Sequence, residues 1–176
     1  MKRVIRRRRT GNPQEGITMI ELLIAGVVMV VGFMALIGLV VAAIASNTRN
    51  RLDTSATMLD LFVVESIESQ SGNPGTLTVT DCVGTSHQIQ QSPGGATLSG
   101  TTIDYSQAAS AIPGYQMDWA VCNGGTTANA IYDVRWHIDT LGTYSFLVTT
   151  SAKLKGVTGG GKYFALPTTI RTITGK

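Results

Sequence analysis

The chain has 176 residues, 43% of them hydrophobic and 14% charged, which leaves room for one domain of ordinary size plus a membrane segment and excludes a disordered chain. The formal charge of +3 is misleading when read whole: Lys2, Arg3, Arg6, Arg7, Arg8 and Arg9 place six positive charges ahead of Gly16 against the single acid Glu15. The eight basic and ten acidic residues that remain leave the body near −2, which excludes a general electrostatic affinity for nucleic acid.

In chain order, the basic cluster comes first. Lys/Arg clusters can mark nucleic-acid patches, but one directly ahead of a membrane-length apolar run reads as the cytoplasmic flank of a membrane segment. The junction Glu15-Gly16-Ile17-Thr18-Met19-Ile20-Glu21-Leu22 follows, and from Leu22 to Ala45 there are 24 residues with no charge and no strongly polar side chain. A helix of that length reaches about 36 Å, enough to cross a bilayer. A secretory signal peptide carries a shorter apolar stretch followed by its cleavage site. Here the leader-like break, Gly16, precedes the apolar run, so cleavage there leaves the apolar helix on the mature chain. Glu21 sits just inside this run, where hydrocarbon opposes an unpaired carboxylate by roughly 2.5–3.5 kcal/mol or more near mid-membrane. It is therefore either a helix-start acid at the membrane interface or one half of a charge pair completed on assembly, its partner being the free amino terminus of a neighbouring subunit. Gly26, Gly32 and Gly38 are spaced by six and do not form the four-residue small-xxx-small pattern.

From Ser46 to Ser69 there is no Gly or Pro, and Leu52, Ala56, Leu59, Val63 and Ile67 recur at helical spacing, with Met58 and Phe62 alongside. Arg49, Arg51, Asp53, Asp60, Glu65 and Glu68 fill the remaining positions, so the pattern predicts an amphipathic helix continuing the apolar one. Ser71-Gly72-Asn73-Pro74-Gly75 ends it. Strands are predicted over Thr76–Thr80, His87–Gln91, Thr97–Tyr105, Tyr115–Val121, Ala130–Ile138 and Gly142–Thr150, the last two flanking Asp139-Thr140-Leu141 as a hairpin, with Asn123-Gly124-Gly125 as a turn. Tyr163–Ile173 is expected at a sheet edge, because Pro167 would cost a central strand a ladder bond. Cys82 and Cys122 both follow the apolar run, on the side where disulfides persist. A bridge between them would close a loop of about 40 residues, worth roughly 4 kcal/mol in the chain-entropy model, and the alternative is two buried thiols.

Motifs for catalysis are missing. His87 and His137 share no metal-type spacing or carboxylate motif, and His137 reads as a strand-face histidine. Thr158-Gly159-Gly160-Gly161-Lys162 lacks the G-x-x-x-x-G-K-[ST] form and reads as a loop, and there is no G-x-S-x-G elbow. Trp119, Trp136, Tyr132 and Tyr144 are assigned to the sheet core and not to a ligand cage. No enzyme activity, metal or cofactor is expected.

The basic leader, Gly16, Ile17, Thr18, Glu21 and the apolar helix together resemble the class III signal of type IV prepilins and type II secretion pseudopilins: a glycine before the cut, a hydrophobic first mature residue and a glutamate as the fifth. Ile17 stands where phenylalanine is common, and Gly38 where many major pilins carry a proline. Tyr132-Asp133-Val134-Arg135-Trp136 resembles minor pilins of the PilV type. The resemblance implies cleavage after Gly16 by a membrane prepilin peptidase, methylation of the Ile17 amine, and an α+β fold in which a long N-terminal helix packs by its second half on an antiparallel sheet. The implied organisation is a leader over 1–16, a transmembrane and assembly helix over 17–45, its amphipathic continuation over 46–70 and a β-rich head over 71–176. The expected function is a minor pilin or pilin-like filament subunit, with a secretion pseudopilin or a major pilin or adhesin as alternatives. Its partners would be the peptidase, other pilin or pseudopilin subunits, an inner-membrane assembly platform and, before assembly, membrane lipid. The leader would be cytoplasmic and the head periplasmic.

Overall fold

A computed structural model describes residues 18–69, 75–157 and 166–175. The fold is α+β, as predicted: a long N-terminal helix, α1 (Met19–Glu68), packs on an antiparallel sheet. The chain divides into two compact units, with Ala45 ending the first and Ser46 opening the second. The described part of the first is helix α1 up to Ala45.

In the second unit the helical stripe Leu52, Ala56, Leu59, Val63 and Ile67 is buried, as its spacing predicts. Two positions beside it differ from expectation. Met58 is 64% exposed, and Asp60, expected on the polar face, is fully buried. Ala56, Asp60 and Val64 form one i, i+4 row, and the sheet reaches across far enough to cover it.

The strands are β1 (Thr76–Thr80), β2 (Ser86–Gln90), β3 (Gly94–Gly95), β4 (Leu98–Ser99), β5 (Thr102–Ile103), β6 (Gln116–Cys122), β7 (Ala128–Gly142), β8 (Ser145–Val157) and β9 (Thr168–Gly175). β7 is central. β8 pairs with one flank of β7 and β9 continues beyond β8, while β6 and, further along, β3 share the other flank. In β7 the alternate residues Tyr132, Val134, Trp136 and Ile138 enter the same core as the helical stripe, joined by Val148 and Ala152 of β8 and Met117 of β6. A fully buried side chain of this size contributes about 1.5–3 kcal/mol relative to exposure. The polar ends of the two large aromatic side chains find partners: the Tyr132 hydroxyl donates to the Leu52 carbonyl at 2.9 Å, and the Trp136 indole N–H to the Gln90 carbonyl at 3.0 Å.

The intervening residues of β7 occupy the opposite face, which residues 94–115 cover. There the Arg135 guanidinium grips the Asp133 carboxylate and donates to the Gln107 carbonyl at 2.7 Å. The Tyr105 hydroxyl donates to the Ser151 carbonyl at 2.8 Å, and Ala96, Ile103 and Ile112 form a small second core. Thr97–Tyr105 is therefore not one strand. It folds back as the two-residue strands β4 and β5, with Gly100 in a left-handed conformation at φ +66°.

The β7–β8 hairpin turns later than predicted. Asp139 pairs with Leu147 and Thr140 with Phe146, so Asp139-Thr140-Leu141 belongs to the strand; Leu141 is absorbed in an irregularity of the register, and Thr143-Tyr144 forms the turn. Tyr144 is consequently 70% exposed and lies outside the core to which it was assigned. β9 is an edge strand of the described sheet and begins immediately after Pro167, at the position where a missing N–H costs least. The first part of the predicted 163–173 segment lies outside the described residues.

Candidate functional site

The sequence places its chemistry at the start of α1. Gly16 and Ile17 lie outside the described residues, as do the leader and the glycine-rich stretch at 158–162. Thr18 and Glu21 are described. The Thr18 carbonyl accepts the Glu21 and Leu22 amides at 3.0 and 3.2 Å, and its Oγ1 receives the Glu21 N–H at 3.4 Å. Thr18 thus caps the helix, and Glu21 stands three residues later in the first turn, the spacing of a capping box. The sequence Thr18-Met19-Ile20-Glu21 carries that signature. An acid here also faces the positive end of the helix dipole.

Beyond Glu21, the large apolar side chains from Leu22 to Ile44 are between 54% and 69% exposed, with no face preferred. The most apolar 18-residue window has a mean hydropathy of 2.9 and is not buried at all inside the chain. A helix hydrophobic all round needs apolar surroundings from elsewhere, as lipid or as other helices. Gly26, Gly32 and Gly38 have open space where a Cβ would stand, so nothing in the described chain requires glycine at these places.

In the second unit Cys82 and Cys122 are joined by a disulfide with a Cα–Cα separation of 6.0 Å, tying the turn after β1 to the end of β6. Beside it, Asp81 organises that turn: its Oδ1 accepts the Val83 and Thr85 amides at 3.1 and 2.8 Å, and its Oδ2 meets the His87 ring at 3.2 Å. Burial pushes the Asp81 carboxyl up, but the His87 ring and the Thr85, Ala120 and Val83 amides outweigh it and hold the group below its ordinary range. His137 bonds separately, to Asp139 at 3.0 Å and to the Ala96 carbonyl at 2.8 Å. The two histidines therefore serve different pairs, and among the described residues no three His, Cys, Asp or Glu side chains gather as metal ligands. Trp136 and Tyr132 are core; Trp119 packs at its margin against Phe62 and His87, with ring centroids 5.3 and 5.5 Å apart.

Asp60 is the polar residue that the sequence reading misplaced. The Thr168 hydroxyl donates to its Oδ2 at 2.6 Å, while Oδ1 has no hydrogen-bond partner among the described residues. Burial pushes its carboxyl up to about 7, against the smaller lowering effects of Thr168 and the Ala152 backbone. Its place in the i+4 row between Ala56 and Val64 was the available signal.

Comparison of the chain with protein-family models, curated proteins and solved structures gives no match.

Proposed function

We propose that the chain is a type IV pilin-like subunit, a minor pilin or pseudopilin, held in the bacterial inner membrane by residues 22–45 and assembled into a filament through the same segment. The observation that carries this reading is the change of surface along α1. Up to Ile44 its large apolar side chains are exposed all round, whereas from Leu52 onward one stripe is buried on the sheet and Val63 is fully buried. A second unit that has satisfied its own helix leaves the first segment to lipid or to other subunits.

In this reading a prepilin peptidase removes the basic leader after Gly16 and methylates Ile17. Glu21 then neutralises the new amino terminus of a neighbouring subunit and sets axial register, while helix packing supplies most of the assembly energy. The periplasmic side suits the Cys82–Cys122 disulfide. The second unit acts in contacts and not in catalysis. A secretion pseudopilus subunit would use the same segment in the same way, and a major pilin or adhesin would be distinguished by abundance in purified filaments. Mass spectrometry of the mature chain tests the proposal. A chain starting at N-methylated Ile17 is expected, with Gly16→Leu blocking that product. Full-length protein in cells making active prepilin peptidase would overturn it.

A further inference from the structure

We propose that a cleft in the second unit, between the helix at Arg51 and the strand ends at Asn123 and Asn129, binds the phosphate of an anionic phospholipid headgroup. The inference rests on the membrane reading of residues 22–45.

The cleft has a volume of about 220 Å³. Arg51 and Ser55 line it from the helix, the exposed Asn123 and Asn129 from the loop after β6 and the start of β7, and Leu52 and Val157 are among its apolar lining. No acidic residue is among those lining it, so the cleft carries one positive charge and several hydrogen-bond donors over an apolar base. Among the described residues the Arg51 guanidinium has no ion-pair partner. Asp53, two residues on, falls about 200° further round the helix and makes no ion pair with Arg51, although its charge reaches the Tyr132 hydroxyl that also lines the cleft. The Ser55 hydroxyl gives its proton to the Arg51 carbonyl at 3.0 Å and the Tyr132 hydroxyl gives its own to the Leu52 carbonyl, so the donors left for a ligand are the Arg51 guanidinium and the Asn123 and Asn129 amides. A planar fork of donors beside amide donors is the arrangement that recognises a phosphate oxygen pair.

The position in the chain selects the source of that phosphate. Arg51 follows Ala45, the end of the apolar run, by six residues. Six residues reach at most about 20 Å even when fully extended, so the chain connection alone keeps Arg51 close to the bilayer surface whenever residues 22–45 occupy the membrane. A subunit with such a cleft would be retained at the bilayer surface by a lipid that must be released when the chain leaves for a filament.

The test uses the full chain in mixed micelles of phosphatidylglycerol and phosphatidylcholine, counting retained lipids by native mass spectrometry. Wild type is expected to retain phosphatidylglycerol preferentially. Arg51→Gln should reduce that preference about fivefold, the effect of one basic residue at a membrane surface. Arg51→Lys, which keeps the charge but loses the planar fork, should recover only part of it, and Asn123→Ala with Asn129→Ala should weaken it independently of the arginine. Arg49→Gln, whose side chain does not line the cleft, should leave it intact. An unchanged preference in Arg51→Gln, or an equal loss in Arg49→Gln, would overturn the cleft as the binding site. Displacement of the lipid by millimolar inorganic phosphate would assign the cleft to the free ion and overturn the lipid reading. Failure of wild type to float with pure phosphatidylcholine vesicles would instead remove the membrane reading on which the inference stands.

Discussion

Asp60 and Asp81 are both buried carboxylates, and their surroundings push them in opposite directions. Asp81 receives amides and the His87 ring, so its ionised form is stabilised in the fold. Its contribution to stability is present above the ordinary carboxylate range and is lost as pH falls through its lowered value. Asp60 receives the Thr168 hydroxyl and a smaller influence of the Ala152 backbone, which together do not offset burial, and its carboxyl is raised to about 7. The folded chain therefore keeps this proton up to near neutrality, whereas the unfolded chain releases it near pH 4. Between those values the folded state binds more protons, so stability falls as pH rises and levels off above about 7. Asp60→Asn removes the titration while leaving an oxygen to accept from Thr168. The variant is expected to lose this dependence between pH 4 and 7 and, at pH 8, to exceed wild type by an amount on the order of 2–4 kcal/mol. Denaturant unfolding of the full chain in detergent, followed by tryptophan fluorescence, measures both effects. A wild type that gains stability between pH 5 and 8 relative to the variant would contradict the assignment.

Among the elements, the segment over the outer face of β7 enters through two glycines, Gly94 and Gly95, at φ +125° and +124°. Gly95 pairs with His137 at φ +124°, and a Cβ there would collide with the Trp136 carbonyl and the Tyr115 ring. Gly100, at φ +66° with open space around it, lies in a region that other residues enter at moderate cost. Gly95→Ala is accordingly expected to cost about 2–3 kcal/mol and to free the Ala96–Trp136 amide bond to hydrogen exchange, while Gly100→Ala costs about 1 kcal/mol. Equal losses in the two variants would mean that backbone conformation, and not the collision, governs the site. In this segment, too, local sequence pattern ceases to predict the conformation. α1, β1, β6 and the paired β7 and β8 were legible because each carries a sustained period, 3.6 in the helix and 2 in the strands. In residues 94–112 the strands are two residues long: β3 pairs with β7, β4 and β5 pair with each other, and the Tyr105 hydroxyl reaches Asp133 and Ser151, so the runs are too short to carry a period and are held partly by distant chain. The β7–β8 turn falls later than the sequence predicts because Asp139, a residue type common in turns, instead stays in the strand with its carboxylate beside His137. At the candidate site the balance is similar. Glu21 and the apolar run stand out by composition alone, but the cleft unites Arg51 with Asn123 and Asn129, which no local spacing could join.

For the whole molecule, the decisive question is whether Glu21 acts through its charge or only through its place in the first turn. The cap gives the second alternative a definite form, since Thr18 already binds the Glu21 amide and a capping box accepts glutamine as well as glutamate at the later position. A helix-start role therefore survives Glu21→Gln and is weakened by Thr18→Ala, at about 1 kcal/mol. A charge pair behaves in the reverse way. At about 4 Å and an effective dielectric near 20, a carboxylate and an amino terminus attract by about 4 kcal/mol, and an uncharged glutamine forfeits nearly all of it. Under the proposed assembly, Glu21→Gln and Glu21→Ala should both enter the membrane and be processed after Gly16, yet appear in sheared filaments at a small fraction of the wild-type level. Thr18→Ala should be incorporated almost normally. Quantitative immunoblotting of filament and membrane fractions, with each variant expressed beside the other subunits, reads the comparison directly. Normal incorporation of Glu21→Gln alongside poor incorporation of Thr18→Ala would assign the residue to the helix start and remove the axial pairing from the assembly scheme.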